Sequence, residues 1–117
     1  KIQMKIALHG VTKEQAKALM IAYEPVWAIG VNGVPASPNY VQKRHSCIRS
    51  TLVSQFGDAG YEIPILYGGS VNDSNCEALI SLENVNGLFI GRSAWDADHF
   101  DVIIRKVLQK ANKHAYT

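Results

Sequence analysis

The sequence predicts an α/β fold built around a parallel sheet, because three strand-like segments alternate with helical segments. Short, continuous apolar runs occupy residues 19–23, 63–67 and 87–90. Runs without polar alternation are typical of strands that are buried on both faces in a parallel sheet. Each run leads through a loop into a segment with helical periodicity. Such repeated units form a parallel sheet that is either open or closed into a barrel.

Length and composition are those of one ordinary globular unit. The chain has 117 residues, of which 47% are hydrophobic and 19% charged, with a formal net charge of +2. It shows no internal linker, so residues 1–117 are read as a single domain or part of one. The mild charge argues against a nucleic-acid or membrane-surface protein. Because Cys47 and Cys76 are too few for a disulfide framework, we expect reduced, half-buried thiols in a cytoplasmic protein.

The first unit starts with helical residues and ends in a long loop. Thr12 and Gln15 have the spacing of a capping box, and Gly10 separates this turn from an earlier helical piece. Pro25 cannot donate to a strand ladder, so the strand over 19–23 should end before it. The loop over 25–37 has a length at which loops in compact domains are often functional.

The helices that follow the three loops are marked by caps and by periodic apolar residues. Ser37 and Pro38 fit an N-cap and a first helical residue, and Gly57 should stop that helix. Its apolar face is formed by Val41, His45, Ile48, Leu52 and Phe56. A short helix follows 63–67 and carries Cys76, Leu79 and Ile80. The last helix carries Phe100, Ile103, Ile104, Val107, Leu108 and Ala111 on one face.

The loops after the strands carry the candidate site, since these loops build the sites of α/β folds. Glu24 ends the first strand. It is either a structural carboxylate that faces solvent or pairs with a lysine, or a general base. Gly68–Gly69–Ser70 and Gly91–Arg92–Ser93 follow the second and third strands. Either loop alone reads as turn glycine, but at the ends of consecutive strands the two loops favour a backbone cradle for a phosphate.

Three segments of the sequence form a recognisable set. Residues 22–30 read Ala-Tyr-Glu-Pro-Val-Trp-Ala-Ile-Gly, residues 67–71 read Tyr-Gly-Gly-Ser-Val, and residues 86–91 read Asn-Gly-Leu-Phe-Ile-Gly. In this order and at this spacing they resemble the three signatures of the triosephosphate isomerase family, the first of them very closely. The resemblance covers essentially the whole chain and implies a (β/α)8 TIM barrel, typically ~250 residues long. We therefore expect the last three βα units of such a barrel, its carboxyl-terminal portion, with the amino-terminal part absent.

The resemblance also implies roles for five residues. Glu24 would be the catalytic base, and Gly30, in a mobile lid loop, would offer its N–H to the substrate phosphate. Ser70 would bind the phosphate too, and Gly91 with the N–H of Arg92 would complete the cradle. The implied reaction interconverts dihydroxyacetone phosphate and glyceraldehyde 3-phosphate through an enediol(ate), without a metal or an organic cofactor. The implied partners are the sugar phosphate, the remainder of the barrel and a second copy in a full-length homodimer, with neither nucleic acid nor membrane.

Other family residues have no counterpart in this sequence. The Asn–Lys pair after the family's first strand and its electrophilic His after the fourth are missing. The four histidines, His9, His45, His99 and His114, fall on helices or helix edges and are interpreted as surface or packing residues. We therefore expect the isolated chain to be inactive, and poorly folded or oligomeric because of unpaired sheet edges. A non-catalytic half-barrel is the alternative.

Two loops depart from the family pattern. The lid over 30–37 reads Gly-Val-Asn-Gly-Val-Pro-Ala-Ser, where the family usually has Thr-Gly-Lys after the first Gly. The last loop has Arg92 where the usual form, Gly-Gly-Ala-Ser-Leu, has its second Gly. Arg92 would contact the substrate anion either through its backbone N–H alone or through its guanidinium as well. Both departures resemble a paralogous branch that isomerises erythrulose phosphates, which is the alternative substrate class.

Overall fold

Three short parallel strands form one sheet in the computed structural model, which describes residues 1–115 and the side chains of residues 1–112. The strands are β1 (Ile21–Tyr23), β2 (Ile65–Tyr67) and β3 (Gly87–Leu88), in the order β1-β2-β3. Ile21 lies opposite Ile65, and Leu66 lies opposite Gly87. The predicted α/β fold with a parallel sheet is therefore confirmed.

Helices fill the connections between these strands. Before β1 lie α1 (Ile2–Ala7) and α2 (Lys13–Ala16), and between β1 and β2 lie α3 (Pro38–Phe56) and α4 (Ala59–Glu62). The short helix α5 (Cys76–Ile80) joins β2 to β3, and α6 (Ala97–Ala115) follows β3. Two 3-10 turns, Val26–Ala28 and Arg92–Ala94, lie in the loops after β1 and β3. These turns and α4 were not predicted. No helix in residues 1–115 is long and apolar enough to cross a bilayer.

The predicted helix caps are confirmed. Thr12 Oγ1 accepts from the backbone N–H of Gln15 at 3.2 Å, and Gln15 Oε1 accepts from that of Thr12 at 3.0 Å. Ser37 Oγ accepts from the backbone N–H of Tyr40 at 3.2 Å, with Pro38 as the first residue of α3. Helix α3 ends at Phe56, directly before Gly57. Caps depend on neighbouring residues only, so the sequence alone is enough to locate them.

The strands are shorter and less buried than predicted. Strand β1 lacks residues 19 and 20, and Met20 is 61% exposed. Ala22 of the same strand is also exposed. The expectation of burial on both faces is therefore wrong for β1: Ile21 and Tyr23 on one face are partly buried, whereas Ala22 on the other face is exposed. Likewise, Cys47 is exposed and Cys76 is buried, so the two thiols are not both half-buried.

Two apolar clusters make up the core, and α3 contributes to both. One joins Tyr67 of β2 to residues of α3, α5 and α6, including Val41, Leu79 and Ile103. The other joins β2 to α1, α2 and the end of α3, including Leu52 and Phe56. The predicted apolar face of α3 is confirmed, whereas on α6 Ile103 is buried and Leu108 remains 56% exposed.

A buried arginine fixes the segments that enter β2 and β3. The Arg49 guanidinium, on α3, donates to the carbonyl oxygens of Gly60 and Ile63 at 2.8 Å and 2.6 Å. It also donates to the side-chain oxygens of Asn84 and Asn86 at 3.0 Å and 2.8 Å. One planar cation thus sets the position of both strands relative to α3.

Three of the four histidines can be compared with their predicted surface or packing roles. His45 is fully buried, and its Nδ1 lies 2.8 Å from the carbonyl oxygen of Asn84. A carbonyl only accepts, so Nδ1 carries the proton. His9 and His99 are exposed, and the side chain of His114 lies outside the described residues. These three described histidines therefore match the interpretation as surface or packing residues.

Candidate active site

One cavity at the carboxyl ends of the strands brings together every predicted site residue. It has a volume of about 360 Å3 and is lined by Glu24, Gly30, Ser70, Gly91 and Arg92, among others. These residues come from three loops that are far apart in the sequence. The parallel sheet places all three loops at one edge, as the topology requires.

Glu24 follows β1 directly and is half-buried at the wall of this cavity. Within residues 1–112 no Lys, Arg or His side chain lies within ion-pair distance of its carboxylate. The alternative in which Glu24 pairs with a lysine therefore has no support in the described part of the chain. A half-buried carboxylate that faces a cavity without a counterion is chemically suited to accept a proton.

Tyr67 is the buried neighbour of this carboxylate. Its hydroxyl donates to the carbonyl oxygen of Gly69 at 3.4 Å, and its side chain is fully buried. Burial, followed by the negative charge of Glu24, raises the pKa of Tyr67 to about 12. The phenol therefore remains neutral beside Glu24 and adds no negative charge to the cavity.

The lid segment is fixed at its base and open at its tip. Gly30 has φ +82°, a left-handed conformation that a residue with a Cβ rarely adopts. The backbone N–H of Gly33 donates to the carbonyl oxygen of Gly30 at 3.0 Å, and that of Val34 donates to Trp27 at 3.1 Å. Val31, at the tip, is 79% exposed. This loop thus carries an apolar tip beside the cavity.

Ser70 is held in an unusual backbone conformation at the floor of the cavity. Its φ is +51°, and its Oγ donates to the carbonyl oxygen of Ala28 at 2.8 Å. No acceptor among the described residues pairs with its backbone N–H. The hydroxyl, therefore, is engaged with the protein, and the N–H is the group that remains for an anion.

Gly68, two residues before Ser70, leaves space for an aromatic ring. A Cβ at this position would overlap the ring of Phe89, which lines the same cavity. The backbone N–H of Phe89 donates to the carbonyl oxygen of Tyr67 at 3.0 Å, which holds the segment after β3 against β2. Glycine is thus required here by the close approach of an aromatic ring.

Gly91 and Arg92 bring the loop after β3 to the same cavity. Gly91 immediately precedes the 3-10 turn Arg92–Ala94, and its carbonyl oxygen accepts from the backbone N–H of Ala94 at 3.0 Å. Arg92 is exposed, and its guanidinium makes no hydrogen bond or ion pair with residues 1–112. Its backbone N–H likewise finds no acceptor in the chain as far as it is described. Both of its donor groups are free to meet a ligand.

Several residues line the cavity to which sequence reasoning gave no role. Asn72 and Phe89 are two of them. Asn72 lies two residues beyond the Gly-Gly-Ser segment, where Asn side chains commonly bond to nearby backbone, and this signal could have revealed it. Phe89 was assigned to a predicted strand, so its orientation toward the site could not be read from the sequence.

The donor groups of this site are those of an anion site rather than a metal centre. Among residues 1–112 no group of three or more His, Cys, Asp or Glu side chains lies close enough to hold a metal ion. The backbone N–H groups of Ser70 and Arg92 and the Arg92 guanidinium are hydrogen-bond donors without acceptors among the described residues. The Glu24 carboxylate, which lines the same cavity, can accept a proton. The arrangement fits a small anionic substrate that loses and regains a proton.

The chain is similar in sequence to known proteins. Residues 1–107 match the model of the triosephosphate isomerase family. The chain is 49% identical over 105 residues to L-erythrulose-1-phosphate isomerase from Rhizobium etli, covering 88% of this chain and 38% of the relative. It is 42% identical over 103 residues to triosephosphate isomerase from Nitratidesulfovibrio vulgaris, covering 87% of this chain and 41% of the relative.

A solved structure is similar as well. The crystal structure of triosephosphate isomerase from Bartonella henselae matches with a TM-score of 0.68 and 39% identity, over 84% of this chain and 37% of that one. The chain thus spans about two fifths of the length of these proteins. Its three βα units have the fold of part of a TIM barrel. Sequence match and fold together show that the chain belongs to the triosephosphate isomerase family.

Proposed function

We propose that the chain acts as the carboxyl-terminal part of an aldose–ketose isomerase for a small sugar phosphate. One observation carries the proposal: the unpaired carboxylate of Glu24 lines the same cavity as Ser70 and Arg92, whose backbone N–H groups lack acceptors in the described chain. A base and an anion cradle that line one cavity suit a phosphorylated substrate with an acidic C–H bond. The complete barrel is this chain together with the remaining βα units.

Glu24 is the general base in this proposal. Its carboxylate takes a proton from the carbon beside the substrate carbonyl, and the electron pair of that C–H bond forms a carbon–carbon double bond. The carbonyl oxygen becomes the oxygen of an enediol(ate). Glu24 then returns the proton to the former carbonyl carbon, whose oxygen takes up a proton and becomes a hydroxyl. The hydroxyl on the carbon that first lost its proton gives up its O–H proton and becomes the new carbonyl. Atoms and electrons balance without an oxidant or a cofactor, and a positioned base of this kind contributes ~10²–10⁴ in rate.

The cradle binds the phosphate in the same proposal. The backbone N–H groups of Gly30, Ser70 and Arg92 are the donors, with Gly91 allowing close approach, since backbone amides that converge form anion sites. The apolar tip of the lid at Val31 covers the bound phosphate and excludes water. Binding energy from the phosphate then favours the transition state for proton transfer.

The first candidate substrate is L-erythrulose 1-phosphate. The Rhizobium etli relative, at 49% identity, carries that specificity in its name, as does the relative from Rhizobium meliloti, also at 49% over 89 residues. The loop with Arg92 departs from the usual family pattern in a way that resembles the same branch. The second candidate is the interconversion of dihydroxyacetone phosphate and glyceraldehyde 3-phosphate, supported by the family match and the Nitratidesulfovibrio relative.

The remainder of the barrel is the proposed partner of the exposed side of β1. A groove of about 480 Å3 lies there between α1, β1 and α3, and Met20 and Ala22 are exposed along it. An uncovered apolar strand edge favours association.

We also propose a homodimer for the complete barrel, on the family resemblance. A cytoplasmic location is supported by two free cysteines.

An isomerase assay tests the proposal. The complete barrel should convert L-erythrulose 1-phosphate, dihydroxyacetone phosphate or both to their aldose isomers. The 117-residue chain alone should show no turnover, because the family's electrophilic residues are missing from it. A complete barrel without activity on either substrate would contradict the proposed function. Activity of the isolated chain would contradict its dependence on the other units.

A further inference from the structure

The side-chain amide of Asn75 is bonded at both of its ends. Its Nδ2 donates to the carbonyl oxygen of Ser70 at 2.9 Å, and its Oδ1 accepts from the backbone N–H of Asn72 at 2.8 Å. Asn75 is the N-cap residue of α5, where an Asn side chain usually accepts from the first turn of the helix. Asn75 makes no such bond to α5. Its amide is directed to the Ser70 loop instead.

Asn72 strengthens the same arrangement. Its Oδ1 accepts from the backbone N–H of Asn75 at 3.0 Å and from that of Ser74 at 2.8 Å. Its Nδ2 lies 3.4 Å from the Ser70 carbonyl oxygen. The two asparagines therefore brace each other and both donate toward one carbonyl group. Asn72 lines the cavity, whereas Asn75 is not among the lining residues.

Ser70 needs this support because of its backbone conformation. A residue with a Cβ adopts φ +51° only at a cost. Such conformations persist where the surroundings over-determine them. Here the hydroxyl is fixed to Ala28 and the carbonyl to Asn75. With the side chain and the carbonyl both anchored, φ of Ser70 decides where its N–H points.

We propose that Asn75 is a positioning residue for anion binding. It holds Ser70 so that the backbone N–H of Ser70 faces the cavity, without touching the substrate itself. This role rests on the proposed function, in which that N–H binds the substrate phosphate. It predicts that Asn75 controls phosphate affinity more strongly than the rate of proton transfer at Glu24.

The test measures the Kd of inorganic phosphate by calorimetry in the complete barrel, then KM and kcat. Asn75→Ala should weaken phosphate binding about fivefold, and Asn75→Asp about tenfold, because a carboxylate cannot donate to the Ser70 carbonyl. KM should rise in parallel while kcat stays within about twofold. Ser74→Ala is the matched control, since Ser74 is exposed and its hydroxyl makes no bond to described residues. Asn75→Ser, which keeps a short polar group, should fall between wild type and Asn75→Ala.

Repeating the Asn75→Ala substitution in a Ser70→Gly variant distinguishes the positioning of Ser70 from a general role of Asn75 in folding. Glycine adopts positive φ without support, so Asn75→Ala should weaken phosphate binding less in a Ser70→Gly background than in wild type. Equal losses in the two backgrounds would overturn the proposal. So would a variant with a lower Tm and an unchanged phosphate Kd.

The two proposals fail in distinguishable ways. A wild-type barrel that binds phosphate but isomerises neither sugar phosphate would contradict the proposed function, while the phosphate Kd values of the variants still decide the role of Asn75. A wild-type barrel that binds no phosphate would contradict both.

Discussion

The hydroxyl of Ser70 donates a hydrogen bond of 2.8 Å to the carbonyl oxygen of Ala28, a fully buried residue at the base of the lid. This bond links the loop after β2 to the loop after β1. It gives the two halves of the proposed phosphate cradle a fixed separation. The same bond occupies the Ser70 hydroxyl, so the backbone N–H is the donor of Ser70 that lacks an acceptor among the described residues.

Ser70→Ala removes this hydroxyl and keeps the backbone N–H. The Ala28 carbonyl is then a buried acceptor without a donor, which should lower the free energy of unfolding by about 1–3 kcal/mol. Urea titration of the complete barrel measures the loss. Ser81→Ala is the matched control, because the Ser81 hydroxyl donates to the carbonyl of Glu77 at an exposed position where water can replace it. Equal losses for the two variants would contradict the structural role of the Ser70–Ala28 bond.

Arg49→Met tests the buried cation that positions β2 and β3. The Arg49 guanidinium donates four hydrogen bonds. Removing it leaves buried carbonyl oxygens without donors. The expected loss in the free energy of unfolding is about 3 kcal/mol or more, since each buried acceptor left without a donor costs about 1–3 kcal/mol. Arg49→Lys should recover only part of it, since an ammonium lacks the planar fork. Thermal unfolding checks both.

An exposed arginine provides the comparison for Arg49. Arg105 pairs with Asp101 one turn away on α6, with its side chain 74% exposed. Arg105→Met should change the free energy of unfolding by no more than about 0.5 kcal/mol. If both arginine variants lose the same amount, Arg49 does not hold the strands as described.

His45 should make stability depend on pH. Burial is the main cause that lowers the pKa of His45 below its usual value of 6.5, and the nearby Arg49 charge acts in the same direction. The unfolded chain therefore binds a proton at higher pH than the folded chain does. Stability from the neutral imidazole is present above about pH 6.5 and is lost as the pH falls toward the lower folded value. Urea titrations between pH 7.5 and pH 5 measure this slope.

A pair of variants assigns that slope to His45. His45→Gln should flatten it, whereas His9→Gln should leave it unchanged, because His9 is exposed. A slope that survives His45→Gln would show that other groups cause the pH dependence.

Arg92→Gly tests how Arg92 acts on the substrate. The side chain is exposed and unbonded within the described residues, so water screens its charge. We therefore expect the backbone N–H to be the important group. The ratio of kcat/KM for L-erythrulose 1-phosphate to that for dihydroxyacetone phosphate should change by less than about tenfold. A larger change would assign substrate choice to the guanidinium.

Local features of this fold could be predicted from the sequence. The capping box at Thr12 and the Ser37–Pro38 start of α3 involve residues three apart or closer. The five site residues were found from the family signatures and from their place after strands, and they line one cavity. Their roles remain predictions until the variants are measured.

Features that depend on distant residues could not be predicted. The bond between Ser70 and Ala28 spans 42 positions, and φ +51° at Ser70 follows from tertiary contacts. Strand β1 was expected to be buried because its sequence is apolar, but burial depends on what lies beside it. On α6, Leu108 has the same periodic spacing as Ile103 and yet is 56% exposed. Helical periodicity identifies the apolar face of a helix, but it does not identify what packs against that face.

Glu24→Gln tests the central claim, that Glu24 is the base of a sugar-phosphate isomerase. Glutamine keeps the shape of the side chain and cannot accept the proton. In the complete barrel, kcat should fall by ~10²-fold or more while the Kd of inorganic phosphate stays within about twofold. In D2O, the wild type should place solvent deuterium on the substrate carbon, and the variant should not. A variant with kcat within about tenfold of wild type and normal deuterium incorporation would remove Glu24 from the role of base.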